Sequence, residues 1–305
     1  MELLVNPTSY SNALKLIDLN VHQIFIGDNQ FCVRNNCNLS LKEIKLITEN
    51  KKNTKIIILI NKFFFDYELI DLENYLIALS KMSVDGIMFS DMAVNQICYE
   101  QKISIPLIYN HETLVTNSEQ FPFYLKNDIT EVSLARELKH QEIEQIVQSK
   151  KEMKTQIQVS GYGYIMHSRW KLISNFCKIE KIRENLLSTP LLIREISRKH
   201  PMIIYEDENG THVFTKYVLN LLTQLPDLQK IGLDTIRIDT FLHNEDWTIK
   251  ITKIYLDALK HIDDKNYINN LACTLPVDDY SHGFYFMNQA DLIYLKHDDT
   301  PLTYE

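Results

Sequence analysis

The run Lys55-Ile56-Ile57-Ile58-Leu59-Ile60 is apolar at every position after its first, and a second short apolar run, Gly86-Ile87-Met88-Phe89, lies about one helix-length further on. Residues 67–81, between them, place apolar side chains three or four apart. A strand that is apolar on both faces has to be covered on both, and a helical crossover sets the next strand parallel to the first. This β-α-β unit decides the fold, because it recurs in both directions. Toward the N-terminus stand Leu3-Leu4-Val5 and Gln23-Ile24-Phe25-Ile26. Toward the C-terminus come Pro106-Leu107-Ile108-Tyr109, Glu131-Val132-Ser133-Leu134, Gln156-Ile157-Gln158-Val159 and Thr235-Ile236-Arg237-Ile238.

Helical spacing marks residues 11–19, 40–48, 93–100, 141–150 and 247–261, and Ser40 followed by Glu43 forms a capping-box pattern at a helix start. Residues 117–123 make a shorter, less regular connection. Eight strands alternating with helices predict an α/β fold, a (β/α)8 TIM-like barrel of irregular form. Asn209-Gly210 between two β-prone runs predicts a hairpin between strands seven and eight. The expected organisation is a barrel domain over residues 1–275 with an insertion at 168–215. A C-terminal tail over 276–305 would pack on it through Gly283-Phe284-Tyr285-Phe286.

The 305 residues are 45% hydrophobic, which suits one large domain. Met1-Glu2-Leu3-Leu4-Val5-Asn6-Pro7 has no basic leader, and no stretch approaches about 20 apolar residues, so the chain is read as cytoplasmic with no membrane partner. Five scattered cysteines, Cys32, Cys37, Cys98, Cys177 and Cys273, read as free thiols, with Cys98 in a helix core. The net charge of −8 argues against a broad phosphate-binding face. The cations that do cluster are Arg169, Lys171, Lys178, Lys181, Arg183, Arg194, Arg198 and Lys199, against Glu180, Glu184 and Glu195. That stretch is either a polyanion contact or a solvated helix with ordinary interspersed charges.

Only seven glycines occur, and Gly161-Tyr162-Gly163 is too short for a dinucleotide fingerprint. Neither a protease nucleophile motif nor His-Glu-x-x-His is present, and no spacing of cysteines or histidines defines a metal site. In a barrel the polar residues just after each strand converge on one mouth. Here these are Asn6 and Thr8, Asp28, Asn61, Asp91, Asn110 and His111, Arg136 and Glu137, His167 and Arg169, and Asp239. Arg136, Glu137, His111, His167 and Arg169 are the candidates for chemistry. The arginines would grip an anion through a planar guanidinium and the histidines would move protons. Asn6, Asp28, Asn61, Asp91, Asp239 and Lys171 are the candidates for holding substrate. Against this, Asn and Asp are also ordinary turn and cap residues, and Arg136 with Glu137 has an equally good structural reading as an ion pair.

Several strings together resemble the collagenase-like U32 peptidase family. They are Glu2-Leu3-Leu4-Val5-Asn6-Pro7-Thr8-Ser9, Ile26-Gly27-Asp28 with Phe31 to Arg34, Leu134-Ala135-Arg136-Glu137-Leu138, and Gln158-Val159 leading to Ser168-Arg169. Glu206-Asp207-Glu208-Asn209-Gly210-Thr211-His212, Ile238-Asp239 and Gly283-Phe284-Tyr285-Phe286 complete the set. The resemblance is narrower to its short bacterial members, the tRNA hydroxylation proteins. It implies a barrel-like fold and a part, with a longer paralogue, in making 5-hydroxyuridine at the wobble position of tRNA, in a prephenate-dependent pathway. It also implies two alternatives: a collagenase-like peptidase, as the family's name says, or a non-catalytic scaffold subunit. Hydroxylating relatives hold an iron–sulfur cluster on four cysteines, one shortly after the Ser-Arg of strand seven. This chain reads Ser168-Arg169-Trp170-Lys171-Leu172 there, with no thiol before Cys177, so the resemblance does not extend cleanly to a cluster.

Overall fold

The computed structural model describes residues 1–182, 190–194 and 201–287. Of the basic stretch, Arg183, Glu184, Glu195, Arg198 and Lys199 lie outside those residues, as does the tail from 288 onward. The first six strands alternate with helices: β1 (Glu2–Val5), α1 (Tyr10–Asp18), β2 (Gln23–Gly27), α2 (Leu41–Glu49), β3 (Lys55–Ile60), α3 (Leu69–Leu79), β4 (Gly86–Phe89), α4 (Met92–Glu100), β5 (Leu107–Tyr109), α5 (Phe121–Lys126) and β6 (Ile129–Ser133). Then come α6 (His140–Gln148) and a 15-residue β7 (Lys154–Ser168). An excursion follows, made of α7 (Leu172–Ile179), β8 (Leu191–Ile193), β9 (Met202–Asp207) and β10 (Gly210–Asn220). The chain returns through α8 (Leu225–Ile231), β11 (Thr235–Ile238), α9 (Glu245–Lys260), α10 (Lys265–Ala272) and β12 (Tyr280–Ser281).

Strands β1 to β7 pair in chain order and in parallel, and β11 pairs with both β1 and β7, which closes an eight-stranded parallel barrel. The predicted barrel is therefore what the chain forms. Ser40 caps α2 with the full reciprocal box: its Oγ accepts from the Glu43 backbone N–H while the Glu43 carboxylate accepts from that of Ser40. Residues 117–123 make a 3-10 turn at Ser118–Gln120 that runs into α5.

The core divides in two. Leu3, Val5, Ile24, Ile26, Ile56, Ile58, Ile60, Ile87, Phe89 and Ile236 pack outward against the helices. Leu4, Phe25, Ile57, Leu59, Met88 and Ile108 form a separate cluster on the inner face of β1 to β5. Across the barrel from that cluster, the inner positions of β6, β7 and β11 are polar: buried Glu131, Ser133, Gln156 and Arg237. Each alternates with a buried apolar residue such as Val132, Ile157 or Ile236, as the two-residue period of a strand requires.

The N-terminal half of β7 belongs to the barrel, and its C-terminal half rises above it to pair antiparallel with β10, which continues to β9 and β8. The bend between the halves falls at Gly161, with φ +112°, where a Cβ would sit 2.0 Å from the carbonyl oxygen of Asp239. Only glycine fits that crossing. In the β9–β10 hairpin, Asp207 pairs with Gly210, so Glu208 and Asn209 make the turn and Gly210 follows at φ +123°. A Cβ on Gly210 would lie 2.1 Å from the Ser168 carbonyl oxygen, so the turn packs directly on the end of β7. Helices α7, α8 and α10 are not foreseen by the apolar spacing. The α8 signal is local: Pro226 in its first turn and Gly232 in the left-handed conformation after its end, the usual asymmetry of helix termini. Short β12 pairs with β10, and Tyr285 beyond it accepts from the His140 backbone N–H through its carbonyl (3.1 Å) and meets the ring Nδ1 of His140 through its hydroxyl (2.7 Å).

Candidate active site at the barrel mouth

The long β7 carries Tyr162 and Tyr164 out over the C-terminal ends of the barrel strands, and Tyr164 becomes the floor on which two cations meet. The Arg34 guanidinium, from the loop after β2, lies 3.9 Å from the centre of its ring. The Arg136 guanidinium, from the loop after β6, lies 5.0 Å from the same centre. An aromatic face attracts cations, so one ring can offset part of the repulsion between two of them. Glu112 offsets the rest, with a carboxylate oxygen 3.5 Å from Arg34 Nη2. Burial dominates Arg136, disfavours its charged form and lowers its pKa, while Glu112 and Glu137 oppose that. Its Nη1 is buried without a hydrogen-bond partner, and so is Oε2 of Glu112. An incoming acceptor would relieve the desolvation of Arg136, whereas the Glu112 oxygen already faces Arg34 at ion-pair distance.

Beneath them, a cavity of about 40 Å3 is lined by Asn6, Asn61, Asn110, Gln158, Asp239 and the apolar Leu59, Met88 and Phe241, among others. A second of about 40 Å3 lies on the other side of Glu112, against Ser133, Arg136, Arg237 and the C-terminal His282 and Tyr285. Each has room for no more than a few waters. Buried Arg237 anchors the inner wall: Nε donates to Asp239 (3.1 Å), and Nη1 to Ser133 Oγ (3.1 Å) and Gln156 Oε1 (3.4 Å). Burial raises the Asp239 carboxyl above its usual range even though Arg237 pulls it down. Asp239 is thus the ionic partner of Arg237, with burial working against its charge.

Of the expected site residues, Asn6, Asn61, Asp239 and Arg136 gather at this centre. Asn6 donates to Asn35 Oδ1 (2.8 Å) and the Phe25 carbonyl (3.0 Å), and Asn61 clasps the backbone of Val33 with both ends of its amide. They brace the loop that delivers Arg34. His167 and Arg169 sit higher, with Lys62, Phe63 and Tyr164 around an open depression of about 360 Å3. His167 lies 3.0 Å from the Asn209 carbonyl and stacks on buried His212 at 4.6 Å and 7°. Its pKa is lowered, chiefly by burial. His111 pairs with Thr113 Oγ1 at 3.2 Å near the ring of Phe63, and its pKa is also lowered by burial.

Two expected residues serve the scaffold, and a third stands apart from the centre. Asp28 closes a turn by accepting from the Gln30 N–H, and Asp91 caps α4 through the Ala93 N–H. Lys171 stands exposed at the start of α7. Glu137 faces a different pocket with Glu142 and Gln145, and no ion pair joins it to Arg136 among the described residues. Arg34, Glu112, Gln158, Tyr164 and Arg237 are absent from the residues predicted by position after a strand. A signal was present for Gln158 and Arg237: polar residues alternating with apolar ones inside strands expected to be apolar throughout.

An iron–sulfur cluster requires thiolates that converge. Cys32, Cys37 and Cys98 are buried. Cys177 lies in the excursion, Cys273 is exposed, and no three metal-binding side chains come together among the described residues. The thiols present do not fit a four-cysteine cluster.

The model of peptidase family U32 matches residues 8–293. "tRNA hydroxylation protein P2" of Bacillus subtilis is 28% identical over 85% of each chain. "Uncharacterized protease MJ0090" of Methanocaldococcus jannaschii is 24% identical over 97% of this chain and 72% of its own length. "tRNA hydroxylation protein P1" of Bacillus subtilis is 21% identical over 83% of this chain and 61% of its own length, so it too is longer than this chain. A match that runs through seven of the eight barrel strands, all but the first, and takes in the Arg34, Glu112, Arg136 and Tyr164 cluster, shows that the chain belongs to peptidase family U32.

Proposed function

We propose that this chain takes part in tRNA hydroxylation, at the 5-position of the wobble uridine, together with a longer member of its family. The relatives named for tRNA hydroxylation support the reading, and in the structure the pairing of Arg34 and Arg136 over Tyr164 carries it. Two guanidiniums at a narrow, polar-walled mouth hold a carboxylate or phosphate in a fixed orientation. Such a cradle suits an anionic co-substrate or an RNA phosphate better than a neutral peptide. In this reading Arg34 and Arg136 grip the anion, Glu112 offsets their mutual repulsion in its absence, and Asp239 with neutral His167 or His111 takes up or returns the proton. Replacing C5–H of uracil by C5–OH needs an oxygen donor and the removal of two electrons. None of the described side chains supplies either, and we assign both to the longer partner or to the bound co-substrate.

The test is removal of the gene together with any redundant route, followed by mass spectrometry of tRNA nucleosides. Loss of 5-hydroxyuridine, restored by the intact gene and not by Arg136→Ala, is the expected result, and an unchanged nucleoside profile overturns it. A peptidase reading would use the Thr113 hydroxyl beside His111, and release of new N-termini from collagen-like peptides, abolished by His111→Gln, would establish it instead.

A further inference from the structure

The mouth is collared by exposed aromatic rings that the packing of the barrel does not require. After β3 the chain reads Lys62-Phe63-Phe64-Phe65-Asp66-Tyr67, and Phe63, Phe65 and Tyr67 are 44%, 50% and 75% exposed. After β7 comes Trp170, 74% exposed. Exposed rings of this size are costly unless something covers them. They are also interleaved with cations. The Arg169 guanidinium lies 3.7 Å from the centre of the Phe65 ring and 3.7 Å from Glu68, which also binds Lys62 at 2.7 Å. One carboxylate thus holds two cations beside the rings. Lys171 follows Trp170 directly. The backbone under the collar is fixed: Asp91 accepts from the Phe64 N–H (2.9 Å), Glu68 from that of Phe65 (2.9 Å), and the Trp170 carbonyl accepts from Thr211 Oγ1 (2.8 Å).

We infer that this collar is a stacking platform for unpaired bases of single-stranded RNA, which lays the substrate loop across the barrel mouth. The inference rests on the tRNA reading above and adds how the RNA is held. Every base has a π-face, and the plane of an arginine on a phenylalanine extends the surface on which one can stack. The open depression of about 360 Å3 beside Phe63, His167 and Arg169 admits a base, whereas the inner cavities of about 40 Å3 do not. A protein partner would also cover apolar rings, but a guanidinium seated over one of them beside a depression of base size suits a stacked base, while the charges themselves, Lys62, Arg169 and Lys171 against Asp66, Glu68 and Glu208, nearly cancel. With so few cations, phosphate contacts are a minor share of the binding. The affinity therefore depends on bases and only weakly on salt.

Trp170 is its own reporter, because the other tryptophan, Trp247, is 8% exposed. An eight-nucleotide single-stranded RNA with a central uridine, titrated into the full-length protein, is expected to quench the exposed tryptophan saturably. The same length of abasic strand should bind at least ~10-fold more weakly, and raising salt from 50 to 200 mM should change the affinity by only a few fold. Phe65→Leu with Trp170→Leu keeps apolar surface at two exposed positions and should weaken binding, read by anisotropy of a labelled strand, by ~10-fold or more. Equal binding of the abasic strand, unchanged affinity of the double variant, or quenching by the longer family member but not by RNA each overturns the inference. The two readings separate in cells. Full rescue of 5-hydroxyuridine by the double variant rejects the collar and leaves the tRNA reading standing. A deletion that leaves 5-hydroxyuridine unchanged rejects the tRNA reading, and the RNA titration still decides the collar.

Discussion

The guanidinium of Arg34 and the ring of Tyr164 are 3.9 Å apart, although one follows the second strand of the barrel and the other stands on the extension of the seventh. That contact joins the loop after β2 to the extension of β7 above the barrel. It is also shared, because Arg136 approaches the same ring. Cation–π contacts contribute about 0.5–2 kcal/mol each, depending on desolvation. Tyr164→Leu should therefore lower the rescue of 5-hydroxyuridine by roughly 10-fold or more in a deletion strain, whereas Tyr164→Phe, which keeps the ring face, should restore it nearly in full. Equal rescue by both would show that the ring does not hold the arginines for function.

Arg237 tests the inner wall. With its side chain 4% exposed, it is surrounded by Asp239, Ser133 and Gln156. Removing one partner of a buried pair leaves the other charge uncompensated and costs about 3–5 kcal/mol. Arg237→Met should destabilise by that order in urea unfolding. Arg237→Met with Asp239→Leu should recover much of the loss, since an apolar pair replaces an ionic one at low cost. Additive losses in the two single variants and their combination would mean that the residues do not act as a pair.

These residues also mark where the chain's reading stops. β3 and β4 are legible to the residue, because Ile56 to Ile60 and Ile87 to Phe89 are buried on both faces and leave no polar position to blur the pattern. β7 is legible only in its barrel half. Beyond Gly161 the alternation of Tyr162, Tyr164 and Met166 serves a sheet whose partner, β10, lies some fifty residues on, and nothing local announces the pairing. The site divides in the same way. Arg136 and Asp239 are found by their place after a strand. Arg34 reaches the mouth from seven residues past the end of β2, at φ +54°, through a loop that Asn6 and Asn61 hold from other strands. Such a cluster depends on contacts among four loops, and spacing along the chain carries none of them.

Gly161 and Gly232 allow a graded test of the bend in β7. A Cβ at Gly161 meets the Asp239 carbonyl at 2.0 Å, whereas one at Gly232 (φ +87°) meets nothing within 4 Å. Gly232→Ala then carries only the left-handed backbone penalty, about 1–2 kcal/mol. Gly161→Ala must in addition push β7 from β11, and a markedly larger loss in thermal midpoint is expected, together with loss of the mouth's function. Similar midpoints for the two variants would place the bend elsewhere.

His243 should set part of the acid limb of stability. Its ring is stacked between Trp247 at 3.6 Å and Tyr162 at 4.7 Å, its Nε2 is buried without a partner, and burial lowers its pKa to about 4. A histidine held neutral in the folded state is protonated first in the unfolded one. The penalty is therefore absent above the unfolded value of about 6.5 and grows as pH falls toward about 4, to roughly 3 kcal/mol at about 1.4 kcal/mol per unit. His243→Phe keeps the stack and removes the titration. Unfolding free energies of the two proteins, measured in urea from pH 7.5 to 4.5, should hold a constant difference above pH 7 and then shift in favour of the variant as pH falls. A difference that stays constant across the whole range would show that His243 does not bear the coupling, and would move it to His167, His111 or His22, which burial depresses in the same direction.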